Sequence, residues 1–270
     1  MQLKTAAAAA LVVAGLAWQP ATATTIVPGF DGSTLPRNDD GSTGLVGLGF
    51  DFNFFGTTYT QLYVNNNGNV TFDNALSTFT PFPLLGTNRV IIAPFFADVD
   101  TRSTANGAQP VTYGTGTFGS QAAFGVNWID VGYFSSRTIP LNSFQLLIVD
   151  RSDIAAGDAD IYFNYERILW ETGEASGGNA SGLGGSSARA GYSNGVDAAF
   201  ELPGSAVNGA FLDGGPNALV SSSNIGEPGR WVFQVRNGEV VNPQPVPEPA
   251  SLALLGMGLL GLGFARRRRG

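Results

Sequence analysis

Apolar side chains return at every second position through much of this chain, and no long segment repeats with the 3.6-residue period of a helix. That rhythm is the strongest constraint on the fold, because successive side chains of a strand point to opposite faces. Leu48, Phe50, Phe52 and Phe54 are placed on one face of a strand by their spacing. Leu62–Val64 and Val70–Phe72 flank Asn65-Asn66-Asn67-Gly68-Asn69, and Asn-Gly between apolar runs is a strong hairpin signal. Val90 to Pro94 is continuously apolar, the pattern of a strand covered on both faces. Further strands are predicted within 122–131, 144–149, 160–165, 188–192 and 230–235. The 37 glycines recur at turn positions, and 19 Phe with four Trp supply ample material for a core. The expected fold is all-β over residues 24–238, with long Gly-rich loops: a two-sheet sandwich, or a barrel of similar strand count.

The two ends read differently. Met1 to Ala23 has the order of a secretory signal peptide: Lys4, an apolar stretch from Ala6 to Trp18, then Ala21-Thr22-Ala23 as a small-x-small cleavage site. A secretion translocon and a signal peptidase are the partners this implies; an uncleaved anchor is the other reading. After a linker at 239–245 comes Val246-Pro247-Glu248-Pro249, whose two prolines keep the backbone extended and open to a partner's grip. Ser251 to Ala265 is uncharged and, as a helix, would reach about 22 Å. That is a short single transmembrane helix, so thinning of the bilayer or snorkelling flanks would complete the span. Arg266, Arg267, Arg268 and Arg269 hold this end in the cytoplasm by the positive-inside rule. The body is therefore expected on the far side of a membrane. A plain tail anchor remains the competing explanation, but it does not account for Pro-Glu-Pro directly before the helix.

Composition narrows the chemistry. The whole chain carries 14 basic and 21 acidic residues, no histidine and no cysteine. Without Lys4 and the four terminal arginines, nine arginines face all 21 acids, a net charge of about −12. So acidic a body repels nucleic acid and offers it no basic patch. Disulfides are ruled out, and the commonest general base and transition-metal ligand is missing. No cofactor is required by any pattern in the chain.

The tail resembles a PEP-CTERM sorting signal in Pro247-Glu248-Pro249, the Gly-rich apolar helix and the Arg cluster, taken in order. The resemblance implies recognition by exosortase, a membrane-embedded transpeptidase that cuts near Pro-Glu-Pro and releases or re-attaches the body. The body resembles the nidogen-like (NIDO) domain. The matching pieces are Leu62–Asn65 with Asn67–Phe72, Ile91–Asp100, Val126–Trp128 with Val131, and Asn142–Gln145. Phe163–Tyr165 with Ile168 and Trp170, Ala190–Tyr192 and Pro228–Phe233 complete the set. That family implies a surface or matrix role without known chemistry. The modules that accompany the domain in animal matrix proteins are missing here, so no specific partner is carried over.

Two acidic stretches are candidate hard-cation sites, since Ca²⁺ takes several carboxylate and carbonyl oxygens. Asp98 and Asp100 point to one side of an extended chain just after the apolar run. The competing reading gives their carboxylates to turn amides or to Arg102. Asp150, Asp153, Asp158 and Asp160 surround Gly157 with the composition of a calcium loop, but without the EF-hand order and its closing Glu. A hairpin turn would call for the same residues. Asn65 to Asn69 offers amides that suit either a turn or a sugar. Trp170 to Ser187 is expected to be a mobile Gly/Ser-rich surface loop. Glu171 and Glu174, or Asp98 with one of them, would be the carboxylates of a glycosidase.

The resulting expectation is a secreted, non-enzymatic structural or adhesive protein of the extracellular matrix. Exosortase would sort it, and exopolysaccharide or other matrix proteins would be its partners. A carbohydrate-active enzyme, or a glycan- or Ca²⁺-binding module, is the alternative.

Overall fold

Fourteen strands, every pairing antiparallel, make up residues 25–241, the part of the chain that the computed structural model describes. One sheet has eight strands. It runs β1 (Ser33–Thr34), β7 (Thr112–Phe118), β8 (Gln121–Tyr133), β9 (Arg137–Asp150), β10 (Ala159–Arg167), β13 (Arg230–Arg236) and β14 (Glu239–Val241), with β6 (Val99–Asp100) also pairing β8. The other has six: β12 (Ala199–Glu201), β11 (Arg189–Asn194), β5 (Val90–Phe96), β4 (Asn69–Thr71), β3 (Thr57–Asn65) and β2 (Val46–Phe54). The only helical elements among the described residues are two 3₁₀ turns, Ala105–Gly107 and Glu174–Ser176. The expected all-β architecture is thus a two-sheet sandwich. Among the described residues no helix is long and apolar enough to cross a membrane. The expected signal peptide with Ala21 and Ala23, and the tail from Val246 to the arginines, lie outside them.

The core forms because inward residues of both sheets meet. Phe52, Phe54, Leu62, Val64, Ile92 and Phe95 face Phe124, Trp128, Phe144, Leu146, Phe163 and Phe233 in one continuous cluster. Trp128 and Phe144 are direct cross-strand partners and stack with ring centroids 5.2 Å apart. Two smaller clusters lie on the outer faces. Leu76 and Leu84 of the β4–β5 connection cover Ile91, Ala93 and Phe96. On the other side Phe30 covers Ala123, Leu147 and Val149. These covers explain the continuous apolar runs of β5 and β9: both strands are central and have apolar neighbours on each face.

Three details depart from simple alternation. Phe50 is only half-buried, because the β2–β3 register shifts between Gly47 and Phe52. Pro94 sits inside central strand β5, where a missing N–H is normally excluded. The β5–β11 register shifts there, between the Gly191–Ala93 and Arg189–Phe96 pairs. The bulge lets Pro94 in and sends Phe95 inward and Phe96 outward. The third is β7, which the apolar pattern misses. Its sequence TYGTGTF puts Gly116 where the ring of Phe30 must lie: a Cβ there would fall 2.9 Å from that ring.

Candidate metal centre

The Asn-rich turn is the frame of the site, and it is buried. Asn65, Asn66, Asn67 and Asn69 are all fully inaccessible. Asn65 pairs with Asn69, leaving a three-residue hairpin loop in which Gly68 has φ +71°. Gly68 packs directly on β5, so a Cβ there would lie 1.7 Å from the Phe95 carbonyl oxygen. Every amide has an internal job. Asn65 Nδ2 donates to Asn69 Oδ1 and Thr71 Oγ1. Asn66 Nδ2 donates to the carbonyls of Asp39 and Val99, while its own carbonyl accepts the Trp128 indole N–H at 2.9 Å. Asn67 Oδ1 accepts the Val99 N–H at 2.9 Å, and its Nδ2 donates to Asp40 Oδ1 at 2.9 Å. The turn therefore pins the loop holding Asp39 and Asp40 to the segment Asp98–Asp100. A sugar would find none of these amides free.

Asp98 lies at the bend between β5 and β6 and is 1 % exposed. It packs against Gly173, where a Cβ would come within 2.2 Å of its Oδ2. That Oδ2 is buried without a hydrogen-bond partner, as is Asp39 Oδ1. One carboxylate oxygen each from Asp39, Asp40 and Asp98 lie within 4.8 Å of one another, the single such set of three among the described residues. Burial, then the charges of Asp39, Asp40 and Asp100, push the Asp98 carboxyl up to about 7, against the opposing pull of the Ser176 backbone N–H. Burial and the charges of Asp100 and Asp40 push Asp39 up to about 6, against the opposing pull of Arg102.

Asp100 does not join this group as a ligand. Burial alone would raise its pKa, yet the Arg102 side chain and the backbone N–H groups of Arg102 and Ser136 hold it below the usual carboxylate range. Arg102 grips both of its oxygens, with Nη2 to Oδ2 at 2.5 Å, and Ser136 N–H donates at 2.7 Å. Asp98, expected beside Asp100, is instead grouped with Asp39 and Asp40. Nothing in the sequence singles out those two, because their approach depends on the Asn66 and Asn67 side chains.

The second acidic stretch takes the hairpin alternative. It is the β9–β10 turn, and each carboxylate is engaged internally. Asp150 accepts from Ser152 N–H and Oγ, Asp153 binds Arg151, and Asp158 accepts the Asn237 N–H at 2.7 Å. Asp160 lies between Arg151 at 2.8 Å and Arg236 at 2.5 Å. The four aspartates expected to serve as a calcium loop are thus each engaged within the protein.

The Gly/Ser-rich stretch is also tied down, contrary to the expected mobile surface loop. Trp170, Glu171 and Thr172 are buried, and Trp170 Nε1 donates to the Val131 carbonyl. Glu171 receives the backbone N–H groups of Gly209 and Phe211 at 2.5 and 2.6 Å, although burial still raises its pKa. Glu174 pairs with Arg137 at 2.6 Å. Two grooves among the described residues, one lined by Trp231 and Ser221 to Ser223 and one by Phe82 and Arg89, have no carboxylate in their walls.

A profile for the nidogen-like domain matches residues 60–237, from β3 to the end of β13. The chain belongs to the nidogen-like family. Relatives of this nidogen-like chain include alpha-tectorin of Gallus gallus, 33 % identical over 82 % of this chain but only 11 % of the relative. Alpha-tectorin of Homo sapiens is 35 % identical over 77 % of this chain and 10 % of its own length. Nidogen of Drosophila melanogaster is 30 % identical over 80 % of this chain and 16 % of its own. The nidogen-like chain thus spans between a tenth and a sixth of these relatives. No solved structure matches it significantly. A PEP-CTERM protein-sorting motif matches residues 245–269, which implies sorting by an exosortase and export toward the cell surface or matrix.

Proposed function

We propose that this nidogen-like chain is a structural or adhesive protein of the extracellular matrix, delivered by two removable apolar ends. The signal peptide exports it with cleavage after Ala23. The C-terminal helix holds it briefly in the inner membrane until exosortase cuts at Pro247-Glu248-Pro249. The processed body is released into, or attached to, the extracellular polymer, where exopolysaccharide or other matrix proteins are its partners. One observation carries this reading: a nidogen-like body at 60–237 is followed directly by the sorting motif at 245–269.

The same geometry speaks against hydrolysis in that polymer. Glu171 is held by backbone amides and Glu174 by an arginine, so neither is poised as general acid or nucleophile. Mass spectrometry of the protein recovered from its host tests the proposal. A C-terminus within Val246–Pro249, or a covalent adduct there, is expected. An intact end retaining Arg266–Arg269 overturns sorting. Turnover of exported polysaccharide by the purified protein, lost in Glu171→Gln, overturns the non-enzymatic part.

A further inference from the structure

The body contains no lysine and no histidine, so only its nine arginines can neutralise its carboxylates. All nine are occupied. Arg37 donates to the carbonyls of Thr101, Ser103 and Ala108, and the other eight each pair with a carboxylate. Around Asp39, Asp40, Asp98 and Asp100 the one cation is Arg102, which Asp100 and Asp39 already share. Two buried carboxylate oxygens, Asp98 Oδ2 and Asp39 Oδ1, accept nothing. A buried carboxylate oxygen without a partner is costly, and the described residues have no spare side-chain cation to offer.

We infer that Asp39, Asp40 and Asp98 bind one Ca²⁺ ion, which clips the loop between β1 and β2 onto the bend between β5 and β6. Calcium–oxygen bonds of about 2.3–2.6 Å bring two ligands of one ion to at most about 5 Å apart. The three carboxylates meet that limit, with separations within 4.8 Å. Hard oxygen donors with no nitrogen or sulfur select a hard cation, and ligands from separated segments suit calcium's adaptable shell. Arg102 holds Asp100 out of the site and, although its Nη2 also reaches Asp39 Oδ2 at 3.2 Å, leaves Asp39 Oδ1 open to the ion.

The test is calcium titration of the full-length chain in mild detergent, by calorimetry and thermal unfolding. One ion per chain is expected, with Tm raised by about 5–10 °C at a hundredfold excess over Kd. Asp98→Asn should weaken binding at least about tenfold and unfold at a higher temperature than the parent without calcium, because it removes the unpaired charge. Asp40→Asn, at a half-buried position, repeats the affinity measurement should Asp98→Asn not fold. Asp153→Asn, in the β9–β10 turn, should bind as the parent does. No saturable binding, an undiminished affinity in Asp98→Asn or Asp40→Asn, or an equal response to Mg²⁺ overturns the assignment.

Discussion

Two acidic clusters at different places in this sandwich have opposite electrostatic outcomes. The β9–β10 turn holds four aspartates in eleven residues, and two arginines with nearby backbone and hydroxyl donors satisfy them all. The cluster beside the Asn-rich turn draws its aspartates from two distant segments and shares one arginine among them. The denser acidic sequence is the one that needs nothing from solution. What decides is the count of cations within reach in the fold, since exposed and paired carboxylates are ordinary and a buried unpaired one is not.

Breaking the frame of the second cluster should have the largest effect. Gly68→Ala would need a left-handed backbone and would drive Cβ into the Phe95 carbonyl, a fixed backbone atom. A loss of about 4 kcal/mol or more is expected, a large part of a domain's whole stability. A urea midpoint near that of the parent would show that the Asn-rich turn is not what positions Asp39 and Asp40. The next effect separates the clusters by sign. Asp160→Ala leaves Arg151 and Arg236 without their buried partner and should cost about 3 kcal/mol. Asp98→Asn without calcium should move the midpoint the other way. Two shifts of the same sign would erase the distinction between the clusters.

How much of this can be read from the chain itself follows from the range of the interactions. The strands of the core were legible because period-two alternation is local, and Val90–Pro94 showed its two-sided burial as an unbroken apolar run. β7 was not, because Gly116 makes room for Phe30, a residue far upstream. Likewise Asp98 could be singled out, but its partners could not. Asp39 and Asp40 reach it through hydrogen bonds from Asn66 and Asn67, residues whose local pattern announces only a turn. For Asp100 the competing reading, capture by Arg102 two residues on, is the arrangement the fold adopts. The Asp150–Asp160 stretch left a calcium loop and a hairpin turn both open for the converse reason: its density was visible, whereas Arg236, which arrives on another strand, was not.

The smallest and most discriminating effect is in the pH dependence of stability. For Asp98 the unfolded chain ionises near the ordinary value of about 4 and the folded chain only near 7. Between those limits the folded state binds more protons, so without calcium stability should fall as pH rises from about 4 to about 7 and level off above. One proton sets an upper bound of about 1.4 kcal/mol per pH unit. Asp39 adds to the same slope up to about pH 6. In the β9–β10 turn the sign is reversed: the Arg151 hydrogen bonds lower the Asp153 pKa, so its contribution is present above the unfolded value and is lost on acidification. Calcium should abolish the falling limb, because the ion holds Asp98 and Asp39 ionised in the folded state, while leaving the acid limb of the turn in place. Urea midpoints measured from about pH 2 to 8, with calcium and with a chelator, read both limbs at once. A falling limb that persists in saturating calcium would mean that the ion does not reach Asp98.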